Sequence, residues 1–113
     1  MGARGYGVVS ENGDHIEGAS EDALFEMISA LDDTDNTFIV VEPNTDDPTW
    51  FASVAVLDEG GYEIVRRDSA HHEHRVHKET DISRIALDLI VWLAARNIPG
   101  RPAGRITDFQ NTT

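Results

Sequence analysis

The stretch TWFASVAVLDEGGYEIVRRD, residues 49–68, decides the fold. Two runs rich in β-branched and aromatic residues, about 49–57 and 61–67, flank the short connection Asp58-Glu59-Gly60-Gly61, and strands joined so tightly must run antiparallel. Glycine there supplies the positive φ that a hairpin turn demands. Upstream, TFIVVEP (37–43) is an apolar run that stops at Pro43; a strand apolar on both faces belongs in the middle of a sheet. NTDDP follows as a loop. Downstream, HHEHRVHK (71–78) begins four residues after Arg67 and continues the meander as a last strand, so four consecutive antiparallel strands are expected over 37–78.

Working outward, Ser20 precedes EDALFEMISAL. A hydroxyl N-cap, acids Glu21 and Asp22 in the first turn, and Leu24, Met27, Ile28 and Leu31 at helical spacing predict a helix over about 20–31. Thr80 or Asp81 caps a second helix, DISRIALDLIVWLAAR, which ends before Asn97 and Pro99. RGYGVVS, ENGD and HIEG at the N-terminus predict a short hairpin or an edge strand running into a loop. The tail NIPGRPAGRITDFQNTT (97–113) is irregular, with RITDF its one segment able to pair or pack. Helices at both ends of a meander must bury their apolar stripes on the sheet. The expected architecture is therefore a single α+β domain over residues 1–113, a two-layer sandwich of an antiparallel meander of four to five strands and two helices.

At 113 residues and 40 % hydrophobic content the chain can bury a core. No apolar run is long enough to cross a bilayer, and MGARGYGVVSENGD lacks the apolar centre of a signal peptide, so a cytoplasmic location and no membrane association are expected. The absence of cysteine excludes disulfides and thiolate metal sites. The net charge of −12 is unevenly spread: residues 1–65 hold fifteen acids against Arg4 alone, whereas the remainder is close to balanced. Such a field repels phosphate backbones and attracts basic partners, so no nucleic-acid binding is expected, while solubility or adaptation to a salty cytoplasm is the other reading of the same acidity.

Four histidines, His71, His72, His74 and His77, crowd one predicted strand. With Val76 on the core side, alternation would lay His72 and His74 beside it and send His71, Glu73, Arg75 and His77 to the other face. Imidazoles in one strand lack a second ligand cluster, since His15 is the sole other histidine and the spacing does not make HExxH; no metal and no cofactor are expected. The stretch is expected to be an exposed polar strand, with a pH-sensitive interface as the other use such a cluster has. No glycine-rich phosphate loop, GxSxG elbow or cysteine nucleophile is present, and the chain is expected to be non-catalytic.

Partner surfaces are more legible. Ile82, Ala86, Leu89 and Leu93 form the main stripe of the second helix, flanked by Ile85, Ile90 and Trp92, yet Leu87, Val91 and Ala94 lie on its opposite side. That outer stripe is to be covered by the protein's own first helix and tail, or by a second copy in a homodimer. Trp50, Phe51 and Tyr62 flank the central hairpin, where aromatics are usually core; should one sheet face be open, Trp50 or Phe51 would anchor a partner, rimmed by Arg66 and Arg67 or the NTDDP acids, with Tyr62 beside them. Asp32, Asp33 and Asp35 after the first helix, Asp46 and Asp47 in the NTDDP loop, and Asp58 and Glu59 in the hairpin turn are the acids expected to meet a basic protein.

The segment TFIVVE, then an apolar strand, then GGYEIVRRD, a histidine-bearing polar strand and a tryptophan-containing helix, about residues 37–94, resembles small actinobacterial immunity proteins of bacterial polymorphic toxin systems. SEDALFEMISALDD is similar to the helix that precedes their meander. The resemblance implies an inhibitor that binds one toxin domain and occludes its active site.

Overall fold

Gly60 and Gly61 both adopt positive φ, 103° and 80°, and the Leu57 N–H bonds to the Gly61 carbonyl at 3.0 Å, closing the central hairpin in the place the sequence assigns it. Around that hairpin the computed structural model, which describes residues 5–96, builds β1 (Tyr6–Ser10), β2 (His15–Glu17), α1 (Glu21–Ser29), β3 (Phe38–Pro43), β4 (Trp50–Val56), β5 (Tyr62–Asp68), β6 (Glu73–Glu79) and α2 (Ile82–Ala94). The expected irregular tail, 97–113, lies outside the described residues. All six strands form one antiparallel sheet in the order β2-β1-β3-β4-β5-β6, an α+β fold. The ENGD turn makes a true hairpin, and β1 also pairs with β3, so the meander gains two strands.

Both helices start where capping chemistry places them. Ser20 Oγ accepts from the Ala23 N–H at 3.2 Å and Asp81 Oδ1 from the Arg84 N–H at 3.3 Å, each satisfying an otherwise orphan donor. The two helices pack on each other and on one face of the sheet. There Leu24, Met27 and Ile28 of α1 and Ile85, Ala86, Leu89, Trp92 and Leu93 of α2 join Val8, Ile39, Val41, Trp50, Ala52, Val54 and Ile64 in a single core. Trp50 and Trp92 meet edge to face at 5.6 Å. Tyr6 donates its hydroxyl to the Ala19 carbonyl and pins the approach to α1.

Between β5 and β6 the structure departs from the sequence expectation. The histidine stretch is not one strand from 71: Ser69–His71 form a single 3-10 turn, Asp68 accepts its His71 N–H at 3.3 Å, and His72 sits in the left-handed region at φ 54°. The strand therefore starts at Glu73, and Val65 pairs with Val76. Cross-strand partners share a face, so Val76 points away from the helices with His74, and is 54 % exposed. Glu73, Arg75 and His77 take the helix side instead. An aspartate able to cap a turn overrode the simple continuation of alternation.

Candidate functional site

The expected acids are brought together in part. The β1–β2 turn, the α1–β3 connection and the β4–β5 hairpin all lie at one end of the sheet, as the pairs Ser10↔Ile39, Phe38↔Ala55 and Val56↔Tyr62 require. Asp32, Asp33, Asp35, Asp58 and Glu59 are there, with Glu11 and Asp14 added from the first turn. Asp46 and Asp47 are not: the β3–β4 loop that carries them is at the opposite end. Three of the clustered carboxylates build the end itself. Asp32 Oδ1 accepts the N–H groups of Thr34, Asp35 and Asn36 at 2.9–3.1 Å, and Glu11 Oε1 accepts the N–H and hydroxyl of Thr37 at 2.8 and 2.7 Å. These bonds, led by the backbone N–H of Thr34 for Asp32 and of Thr37 for Glu11, hold both carboxyls below their ordinary pKa. Glu59 is lowered by its hydrogen bond from Lys78 at 3.1 Å, the single ion pair these acids make among the described residues. Asp14, Asp33, Asp35 and Asp58 remain exposed and unneutralised.

The second face of the sheet has no helix over it among the described residues. Register puts Val9, Val40, Ser53, Val65 and Val76 in one row across five strands, with Phe38 and Ala55 toward the acidic end and Glu42, Phe51, Arg67 and His74 toward the other. Val9, Phe38 and Val76 are among the most exposed large apolar residues. Phe51, set between Glu42 and Arg67, lines a shallow cleft of about 460 Å³ completed by Val40 and the Pro48–Thr49 stretch. Of the aromatics expected as anchors, Phe51 is thus the one on an open face. Trp50 is core, and Tyr62 packs against the core from the helix side.

Sequence reasoning leaves the open face undecided because TFIVVEP, apolar on both sides, reads as a strand in the middle of a sheet. That both helices lie on one side, so that the chain neighbours of Ile39, Val41, Ala52 and Val54 point to solvent, is a fact of tertiary packing.

A third cluster lies at the far end of α2. Asp68, 1 % exposed, receives Arg96 Nε at 2.7 Å and His71 Nδ1 at 2.9 Å; Arg96 also donates to Glu73 at 2.6 Å and stacks over the Trp92 ring at 3.9 Å. Trp92 Nε1 completes the network by donating to Glu73. Burial alone would raise the Asp68 carboxyl, but the hydrogen bonds and charges of His71 and Arg96 outweigh it and hold it below the ordinary value. The arrangement ties the end of α2 to the turn after β5, with a cavity of about 190 Å³ beside it. Among the described residues no three His, Asp or Glu side chains converge as a metal site would require. His71 belongs to this network, whereas His74 lies on the open sheet face.

On α2, Leu87, Val91 and Ala94 are exposed, Leu87 by 45 % and Val91 by 63 %. Among the described residues, α1 does not cover this outer stripe. No helix of the described residues is long and apolar enough to cross a membrane. In comparisons with known proteins, no family model, curated protein or solved structure matches the chain.

Proposed function

We propose that this protein is a non-catalytic binding protein of the immunity type, which neutralises a toxin domain by seating a basic surface of it on the acidic end of the sheet. The observation that carries the reading is the convergence of seven carboxylates from three adjoining connections on one end, against Lys78 as their one ion-pair partner among the described residues. A toxin that acts on nucleic acid needs a basic cleft for phosphate, and an acidic end both steers the encounter and competes with the substrate backbone. The resemblance of residues 37–94 to immunity proteins points the same way. Backbone hydrogen bonds to Asp32 and Glu11 hold the connections, so the exposed carboxylates are presented on a fixed platform.

The test is to look for a large secreted protein encoded directly upstream and to co-express its compact C-terminal domain with this chain. That domain alone is expected to arrest growth, and this chain to relieve the arrest through a 1:1 complex. Arrest that persists despite a folded, co-expressed chain would overturn the reading.

A further inference from the structure

We propose that the open face of the sheet is the seam of a homodimer whose two-fold axis runs along β4. The surface is separate from the acidic end, so a dimer leaves that end free.

The pattern on the face is self-complementary about β4. Reading across the sheet, the middle row is Val9, Val40, Ser53, Val65, Val76, symmetric with Ser53 at its centre. A two-fold axis along β4 brings β3 of one copy over β5 of the other and β1 over β6. Val40 then faces Val65 of the second copy, Val9 faces Val76, and Phe51 meets Phe51 at the axis, where aromatic pairs are favourable.

Charge follows the same symmetry. On this face the β2–β3 flank carries Glu17 and Glu42, whereas the β5–β6 flank carries Arg67, His74 and Lys78, with Glu63 the one acid beside Lys78. His15 also lies on the acidic flank, but it is bound to Glu17 at 2.7 Å. Glu42 and Arg67 flank Phe51 on either side in register, and neither has an ion-pair partner within the chain among the described residues. The proposed axis sets Glu42 against Arg67 of the second copy, twice by symmetry. An axis across the strands would instead put His74 against Lys78, both basic. Aligned packing of two twisted sheets at about −30° is the ordinary geometry for such a pair, and it needs only a small tilt of the axis from β4. The outer stripe of α2 offers less: two large apolar side chains, Leu87 and Val91, beside the charges of Arg84 and Asp88.

The experiment is sedimentation equilibrium of the full chain from about 1 to 200 µM, a range that brackets the affinity of a small interface. The mass is expected to rise with concentration from 12.5 kDa to twice that value. Val76→Glu should leave a folded monomer throughout. Glu42→Arg and Arg67→Glu, both at exposed positions, should each weaken the dimer by roughly tenfold or more, and the double variant should recover most of the wild-type affinity. Leu87→Asp should dimerise like the wild type. A wild-type chain that stays at 12.5 kDa up to the highest concentration would overturn the proposal. So would a dimer that ignores both charge reversals or is lost only on Leu87→Asp.

Discussion

At the scale of single residues, Asp68 ties stability to pH. It is buried, yet Arg96 and His71 make its charged form the favoured one, and its pKa is lowered in the folded chain. A carboxyl whose folded pKa lies below its unfolded value, about 3.9 for aspartate, contributes stability that is fully present above that pH and is lost as pH falls through the folded pKa. Asp68→Ala is expected to cost about 3 kcal/mol near neutral pH, the low end for breaking a buried pair because Arg96 keeps Glu73. In urea titrations the gap between variant and wild type should narrow as pH drops below about 4; a gap independent of pH would mean that packing, not charge, is what Asp68 supplies. The histidines give the converse expectation. His71 Nδ1 is engaged by Asp68, and no convergent ligand trio exists among the described residues, so stoichiometric zinc should move Tm by no more than about one or two degrees. A rise of about ten degrees would show metal binding linked to folding.

Among the elements, α2 separates what is core from what is surface. Leu89 is 1 % exposed within the shared core, and Leu89→Ala should destabilise by about 2–5 kcal/mol in chemical denaturation. Leu87→Asp and Val91→Asp, on the exposed side, should leave the unfolding midpoint nearly unchanged; large losses would show that the outer stripe is internal. The helix was legible because its cap, periodicity and end are all local signals, as were α1 and the Gly60-Gly61 hairpin. Strand β6 was less so. Its apolar content is one valine, too little to say which face Val76 takes, and a single Asp68 cap, worth more locally than continued alternation, moved its start by two residues. The open face was hidden for a different reason: Phe38, Val40 and Phe51 are apolar, and composition alone does not say which of two apolar faces the helices cover. That depends on the pairing of β1 with β3 and on both helices packing together, long-range facts that no window of sequence contains.

For the whole molecule, the acids acquire meaning only from topology. In the chain, Asp46 and Asp47 stand nearer to Asp35 than Asp58 does, but the sheet sends them to the far end and gathers Asp14, Asp33, Asp35 and Asp58 instead. Glu11, Asp32 and Glu59 are engaged in hydrogen bonds that hold the connections, so neutralising them would confound binding with local structure. Asp33, Asp35 and Asp58 carry no such duty toward the backbone, and Asp33→Asn, Asp35→Asn and Asp58→Asn combined should preserve the fold by circular dichroism. If the acidic end meets a basic toxin domain, steering is long-range and screened, so the wild-type association rate should fall steeply with salt while dissociation changes little. The triple variant should then associate roughly tenfold more slowly at low salt and converge on the wild type as salt rises. Asp46→Asn with Asp47→Asn, an equal type of change at the opposite end, serves as the internal control and should stay within about twofold of wild type by stopped-flow. Were the two sets of substitutions to act equally, net charge rather than the acidic end would govern the encounter. Were neither to act, the toxin contact would lie away from the acidic end.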